Sequence, residues 1–365
     1  MAEIPSVSRD GLVVCVCNGK QYKARDAIDA ALFRGELKSI WKEFLSNLGT
    51  ETRAKELALE LDYDSVEEMA ERFRYDRDLI TAEETERWLE DRGLTLENFS
   101  EYFARRYWRS TLQESISAED VDFVSASAEL RQLFTRELIL DDELDLLSKQ
   151  LMWRLAVGAA KQESGIDPEK LAIEREQFLE RNEITSSKLG DWLDRIGRDQ
   201  QWLKETLAME VAYQRVRDGL LNPRARKKQL AMLRMPLTRF EAEVIEVESL
   251  DAAREALLCI REDGMSMQEV AGEARYPYRR ITFRHEDVPA NLQQKFWSVG
   301  AGDLLEPLTR GEDGFELYRI TNKSEPDLSD TIVQERIDER LLEQHFSGLV
   351  RDHIDVPMQS ALSRQ

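Results

Sequence analysis

A helical spacing of apolar residues runs through more than half of the sequence, from about Arg25 to Leu221. It is clearest in one stretch, where the i, i+3, i+4, i+7 rule holds for Leu37, Ile40, Trp41, Phe44, Leu45 and Leu48. On an α-helix this spacing puts the apolar side chains on one face, which must be buried against other helices. The pattern predicts a set of packed helices for this part of the chain.

Helix-start signals divide the stretch into short helices. Ser65 with Glu68 and Thr81 with Glu84 have the spacing of capping boxes, in which each side chain satisfies a free backbone N–H at a helix N-terminus. Thr185 stands in a similar place but has Lys188 three residues on, so we expect a single cap there.

The sequence matches itself when it is shifted by 104 residues. The two copies span about 77–93 and 181–197, and each has an Ile-Thr start, a Trp-Leu pair and a closing glycine. The Trp-Leu pair is expected to face the core, and the glycine to allow a left-handed helix exit. The functional interpretation is a pair of duplicated helical arms that clasp a chain.

Short elements flank the helical region on both sides. Val13–Cys17 is rich in β-prone residues and Asn18-Gly19 is a favoured hairpin turn, so residues 1–24 are predicted to hold an N-terminal β-hairpin and residues 25–236 the helical region. Beyond Arg239, apolar and acidic residues alternate as in a half-buried strand.

The periodicities that follow predict the order β-α-α-β-α-β-β over residues 237–323, with a hairpin turn at 310–314. Residues 324–365 return to a helical pattern and are predicted to pack on the helical region. The predicted fold class is therefore mainly α with a C-terminal α+β domain.

The charge balance limits the possible partners. Lys and Arg number 51 against 72 Asp and Glu, which gives a formal net charge of −21. Such a chain repels phosphates and anionic lipid, so we expect neither a nucleic-acid nor a membrane partner. No secretory pattern begins the sequence, and Cys15, Cys17 and Cys259 form no CxxC pair, as is typical of a reducing compartment. We expect a cytoplasmic location.

Motifs for cofactor or metal chemistry are missing from the sequence. It contains no glycine-rich phosphate loop, GxSxG elbow or HExxH motif. His345 and His353 are eight residues apart on an expected helix, which is a poor arrangement for a metal. We expect no cofactor, no metal site and no catalytic set.

Several segments carry a resemblance to a known family. FWSVGAGDLLEP at 296–307 and GFEL at 314–317 lie in Ala242–Ile320, which resembles a parvulin-type (PpiC-type) peptidyl-prolyl isomerase domain. FRYDRDLITAEETERWLEDRGLTLENFSEYFARR at 73–106 is similar to the arms of SurA-like chaperones that carry such domains. The nearest variety is the group of signal-less, parvulin-related proteins proposed to assist maturation of ribosomally made peptides. The resemblance implies SurA-like helical arms plus a parvulin-like domain.

Departures from the family pattern imply that this domain is degenerate. Parvulins usually have a histidine on the first strand and another on the last, and Val244 and Glu316 stand in those places here. Asp287 and Asn291 align with the Met and Phe that hold the proline ring, and 272–280 is shortened and rewritten. Because an acid and an amide cannot line an apolar slot for a twisted prolyl bond, the resemblance implies lost isomerase activity.

Aromatic residues in the α+β segment suit a peptide groove, whose anchors are often aromatic. The six candidate peptide contacts are Tyr276, Tyr278, Phe283, Asn291, Trp297 and Glu316. The strand at 240–247 is a further candidate, as an edge to which an extended peptide could add, although its acidic alternation could equally protect such an edge.

Three functions remain open from the sequence. The first is a non-catalytic, chaperone-like protein that binds a peptide or unfolded client, including a precursor peptide together with its modifying enzymes. The second is an active prolyl isomerase with relocated catalytic groups. The third is a scaffold or modifying subunit of a peptide-processing complex.

Overall fold

The computed structural model describes residues 11–112, 121–160, 167–310 and 314–357 of the 365-residue chain. The chain divides into two compact units, Met1–Arg217 with His345–Gln365 and Asp218–Gln344. Most described residues are helical, and a four-stranded sheet lies in the second unit. The predicted fold class, mainly α with a C-terminal α+β domain, is confirmed.

The first unit is built of helices and a small sheet. Its elements before the first unit boundary are β1 (Val13–Cys17), β2 (Lys20–Lys23), α1 (Ala24–Phe33), α2 (Leu37–Glu56), α3 (Tyr63–Asp76), α4 (Ala82–Asp91), α5 (Leu96–Leu112), α6 (Ala128–Leu140), α7 (Glu143–Ala160), α8 (Pro168–Arg181), α9 (Leu189–Arg195) and α10 (Gln200–Leu220). Its core includes the apolar stripe of α2, with Leu37, Trp41 and Phe44 buried.

The elements of the second unit alternate between sheet and helix. They are α11 (Pro223–Met232), β3 (Arg239–Val247), α12 (Leu250–Arg261), α13 (Met267–Ala274), β4 (Tyr278–Arg284), α14 (Ala290–Trp297), β5 (Leu308–Arg310), β6 (Gly314–Ser324) and the first part of α15 (Thr331–His353). From β3 to β6 this is the predicted order β-α-α-β-α-β-β. Residues 311–313 of the predicted hairpin turn lie outside the described residues.

The N-terminal hairpin forms as the sequence predicts. β1 pairs antiparallel with β2, and the turn residues Asn18 and Gly19 have φ values of 50° and 75°. Two positive φ values are required by a type I′ turn, which explains the Asn-Gly pair. The two-residue strand β7 (Ile354–Asp355) also pairs with β1 and was not predicted, since two residues carry no periodicity of their own.

The two repeat copies share an aromatic contact. Phe73 of α3 meets Trp88 of α4 edge to face at 5.5 Å, and Phe178 of α8 meets Trp192 of α9 at 5.3 Å. The tryptophans are 104 residues apart but the phenylalanines are 105 apart, so the second copy is one residue shorter between the two rings. Both tryptophans are buried in the core of the unit, as expected.

Two of the predicted helix starts are wrong. Thr81 and Glu84 do form a capping box, but α3 begins at Tyr63, and its N-cap is Asp62, whose carboxylate accepts from the backbone N–H groups of Asp64 and Ser65. Asp62 is an equally good cap three residues earlier, so Ser65 lies inside the helix. Thr185 makes no side-chain cap bond, because a 3-10 turn rather than an α-helix follows it in the shorter second copy.

The sheet of the second unit has the order β4-β3-β6-β5, and all its neighbouring strands are antiparallel. Helices cover both faces. The α14 face carries Phe240 and Ala242 of β3, which pack in one cluster with Phe296 of α14, and the α12 face carries Ile245 and Val247 of β3 against α12 and α13.

The prediction that the strand at 240–247 is a sheet edge is wrong. This strand, β3, lies between β4 and β6, and its acidic residues pair with charges on its neighbours. Glu243 accepts a hydrogen bond from Arg280 at 3.3 Å, and Glu246 forms an ion pair with Arg279 at 3.2 Å. The acidic alternation therefore matches arginines on the adjoining strand rather than protecting a free edge.

Candidate functional site

A cleft of about 820 Å³ opens in the first unit, which we also call the helical unit. We call it the helical cleft. Its walls come from the start of α2, the segment after residue 120, the turn that follows α8, and α9. Its apolar lining consists of Leu32, Leu37, Trp41, Leu45, Val121, Phe123, Val124, Ile184 and Trp192. Leu45, Val121 and Ile184 are only half-buried, so the cleft presents apolar surface to a ligand.

The polar edges of the apolar lining are satisfied by local bonds. The Trp41 indole donates to the Val121 carbonyl at 2.6 Å, which leaves the ring as an apolar wall. Lys38 of α2 donates to Glu183 at 2.7 Å, and this hydrogen bond lowers the pKa of the Glu183 carboxyl. The pair joins the two sides of the cleft at its rim.

Charges of both signs surround the cleft. Four basic and three acidic side chains line it: Lys38, Lys42, Lys188, Arg195, Asp122, Glu183 and Asp191. All seven are exposed, so they are accessible to a ligand. The rim is slightly basic on a chain whose net charge is −21.

Sequence reasoning missed this cleft. Lys38 and Lys42 flank Trp41 at helical spacing, which shows only that α2 has a basic edge beside its apolar stripe. Ile184 lies far along the chain, and its approach to α2 depends on tertiary packing. No local pattern could have joined the two.

A second polar group lies on the α14 face of the sheet, beyond its apolar core. We call it the ion-pair cluster; its members are Glu246, Arg279, Arg310, Glu316 and Tyr318. Arg279 donates to Glu316 at 2.7 Å and forms an ion pair with Glu246 at 3.2 Å, and Arg310 also pairs with Glu246. The two carboxylates are thus neutralised by two guanidinium groups.

Tyr318 completes the cluster by donating its hydroxyl to Glu316 at 2.6 Å. Burial, the hydrogen bond to Glu316 and the negative charge of that residue raise the pKa of Tyr318, so the phenol stays protonated. Val244, between Arg279 and Tyr318 in the sheet register, is fully buried. The cluster holds no imidazole or thiol, and its carboxylates are engaged by their neighbours.

The six predicted contact residues do not come together in one groove. Tyr276 and Tyr278 pack on the α12 face, where the Tyr278 hydroxyl donates to Glu243 at 2.7 Å. Phe283 and Glu316 lie on the α14 face. Phe283 stacks on Phe240 at 5.4 Å and is largely a core residue.

The other two predicted contacts belong to α14. Asn291 is exposed near its first turn. Trp297, at its end, keeps 42% exposure, meets His285 edge to face at 5.5 Å and lies 4.6 Å below the Lys323 ammonium. Lys323 also donates to the carbonyls of Trp297 and Val299, so it caps the helix end. These contacts give the tryptophan a structural role.

The described residues contain no group of three or more His, Cys, Asp or Glu placed to hold a metal ion. Over the same ranges, no helix has both the length and the apolar character to span a membrane.

Burial raises the pKa of Cys15 to about 12, so this thiol is a poor nucleophile.

No protein-family model matches the chain, and no curated protein matches it. Solved structures are similar over much of its length. The peptidylprolyl isomerase PrsA from Bacillus cereus is 12% identical, with a TM-score of 0.36 over 64% of this chain and 89% of that one. PrsA from Bacillus anthracis is 12% identical, with a TM-score of 0.29 over 57% and 95%.

A third similar structure comes from a study of PEB4 and Cj1289, described as SurA-like chaperones of Campylobacter jejuni. It is 11% identical, with a TM-score of 0.19 over 67% of this chain and 96% of that one. TM-scores and identities this low establish neither a family nor an activity. The parvulin and SurA resemblance of the sequence stays a prediction.

Proposed function

We propose that this protein is a non-catalytic, chaperone-like peptide-binding protein that holds an extended or partly unfolded client segment in the helical cleft. The observation that supports the proposal is the cleft itself, with a half-exposed apolar lining inside a rim of mixed charge. Its volume of about 820 Å³ lies within the usual range of ligand sites. Apolar side chains of a client would lie inside, and its polar backbone and charged groups would meet the rim.

The chemistry of the lining suits holding rather than catalysis. Among its described residues there is no serine, threonine, cysteine or histidine that could act as a nucleophile or as a base near neutral pH. The rim charges are of both signs, so they can pair with a client of varied sequence. A surface of this kind binds through burial of apolar area and tolerates sequence change.

For the client we propose a ribosomally made precursor peptide in the cytoplasm, with its modifying enzymes as further partners. The support is the sequence resemblance to proteins proposed for peptide maturation. A role as a subunit of a peptide-processing complex would use the same cleft, and would differ in that an enzyme co-purifies.

The test places one charge in the apolar lining. Ile184→Asp buries a carboxylate where a client side chain would lie, while Ile173→Asp makes the same change on an exposed part of α8 outside the cleft. Affinity for a panel of unfolded peptides, measured by fluorescence anisotropy, should fall about tenfold in the first variant and stay within about twofold in the second.

A photo-crosslinking amino acid at Leu45, on the opposite wall of the cleft, gives an independent measurement in which Ile184 is left unchanged. Crosslinks from Leu45 to the peptide are expected, and crosslinks from an equivalent probe at Ile173 are not. Equal affinities of the two aspartate variants, with circular dichroism unchanged, would sink the proposal. So would capture of peptide at Ile173 but not at Leu45.

A further inference from the structure

β4 is the terminal strand of the sheet in the second unit. It pairs with β3 over seven consecutive residues, Tyr278–Arg284, without a register shift. Within the described ranges no strand pairs with its other edge. The strand is regular and contains no proline, so its outer edge has the geometry of a strand acceptor.

Hydrogen bonds at both ends of the β3–β4 ladder fix which backbone groups point outward. These bonds run from Glu246 N to the Pro277 carbonyl at 3.0 Å and from His285 N to the Thr238 carbonyl at 2.9 Å. In an antiparallel pair, hydrogen-bonded and non-hydrogen-bonded residue pairs alternate. The backbone groups of Arg280 and Thr282 therefore point away from β3.

Side chains along β4 differ between its two faces. On the α14 face, Ile281 and Phe283 are half-buried apolar residues that continue the core toward the free edge. On the α12 face, Thr282 is exposed and the Arg280 side chain keeps 73% exposure. A strand that paired with this edge would need apolar residues on one face and an acceptor for a cation on the other.

The strand that pairs with the inner edge of β4, β3, already has such a sequence, with apolar residues facing Phe283 and an acidic residue facing Arg280. Phe240 stacks on Phe283 at 5.4 Å, and Glu243 pairs with Arg280 at 3.3 Å. The residues between them continue the alternation of apolar and acidic side chains. The same β4 side chains line the outer edge, so the same pattern is complementary there.

We propose that the outer edge of β4 binds an extended peptide of alternating apolar and acidic residues as an added strand. Charge selects this occupant over a second copy of the chain, since two β4 edges facing each other would bring Arg279 and Arg280 of both copies together. The site is separate from the helical cleft and does not depend on its function.

The probe is a fluorescein-labelled peptide with the sequence of residues 240–247, FEAEVIEV, added to the full-length protein and followed by anisotropy. A charge-reversed peptide, FKAKVIKV, should bind at least about tenfold more weakly, because lysines would face Arg280. Two further peptides carry N-methyl groups on one or the other set of alternate amides. Only one set can face β4, so only one of these two should lose binding.

Protein variants test the same edge from the other side. Thr282→Pro removes an outward N–H without touching a bond to β3 and should lower affinity about tenfold, whereas Thr282→Val keeps the N–H and should stay within about twofold. Arg280→Glu should invert the preference between the two peptides. In the Ile184→Asp background, where the cleft is blocked, the probe should still bind and Thr282→Pro should still lower its affinity.

Several results would overturn the inference. Equal binding of the two N-methylated peptides to the wild-type protein would mean that no strand is added, whatever the fate of the proline variant. Equal affinity of a folded Thr282→Pro protein would place the peptide elsewhere. Loss of the probe in Ile184→Asp would assign it to the helical cleft.

Discussion

Trp153 and Phe346 stack with their ring centroids 5.0 Å apart and their planes inclined by 23°. Phe346, near the end of α15, is fully buried and also stacks with Tyr213 of α10 at 5.2 Å. A single phenylalanine thus joins the end of the last helix to α7 and α10 within the first unit. Both aromatic contacts are stacked, with centroid distances in the range at which such rings attract.

We expect Phe346→Ala to lower the free energy of unfolding of this unit by about 3–5 kcal/mol, since a buried ring is lost from between two others. Gln344→Ala, at an exposed position of the same helix, should cost less than about 0.5 kcal/mol. Chemical denaturation followed by tryptophan fluorescence measures both. Similar costs for the two variants would contradict a structural role for the stack.

Gly197 and Gly19 allow a matched test of a close contact. Both have positive φ values, 65° and 75°, but a Cβ at Gly197 would lie 2.7 Å from Arg25 Nη2, while Gly19 has open space. Each alanine variant should lower the free energy of unfolding by about 1 kcal/mol, because a residue with a side chain is strained at positive φ. Gly197→Ala should lose about 1 kcal/mol more, because Arg25 must give up its hydrogen bond to the Ile196 carbonyl.

The Arg25→Ala background separates the two contributions. Without the guanidinium, Gly197→Ala and Gly19→Ala should cost the same within about 0.5 kcal/mol, as independent sites do. Thermal unfolding of the four variants and their parents gives the comparison. A difference that persists in the Arg25→Ala background would show that the extra cost has another source.

The order of elements from β3 to β6 could be predicted because each periodicity is local. The position of β3 in the middle of the sheet could not, since alternating acidic residues suit either a protected edge or a strand flanked by cations. The backbone pairing of β3 with both β4 and β6 distinguishes the two. Strand order depends on such long-range pairs, which sequence spacing does not encode.

The site residues show the same limit. Aromatic residues of the α+β segment are easy to find in sequence, but alternation along β4 sends Tyr278 and Phe283 to opposite faces. The cleft combines Leu45 of α2 with Ile184 of the turn after α8, and neither stands out locally. The competing caps Asp62 and Ser65 are a smaller case, because both have suitable side chains and only the backbone path selects between them.

Glu137 gives the helical unit a pH-dependent stability. Its carboxylate forms a buried ion pair with Arg105 at 2.5 Å, yet burial raises the pKa of Glu137 from 4.5 to about 7. Between these values the folded protein holds a proton that the unfolded chain has released. Stability from this group therefore falls as the pH rises from about 4.5 to about 7.

The variant Glu137→Gln removes this titration. Relative to the variant, the wild type should lose up to about 3 kcal/mol of unfolding free energy between pH 4.5 and pH 8. Urea denaturation at several pH values measures the difference, in which the titration of other groups cancels. Parallel pH profiles of the two proteins would show that Glu137 does not titrate in this range.

The ion-pair cluster predicts that the protein does not accelerate prolyl cis–trans exchange. Val244 is fully buried and offers no polar atom, and Glu316 is held by Arg279 and the Tyr318 hydroxyl. A proline ring would have to enter a face occupied by charged groups. Such a face offers no apolar pocket to stabilise a twisted, desolvated amide. NMR exchange spectroscopy on a short Ala-Pro peptide should give the same rate with and without the protein, while an active prolyl isomerase run in parallel raises it. An acceleration that disappears in Glu316→Gln, but survives in the exposed-site variant Asn291→Ala, would instead assign catalysis to this cluster.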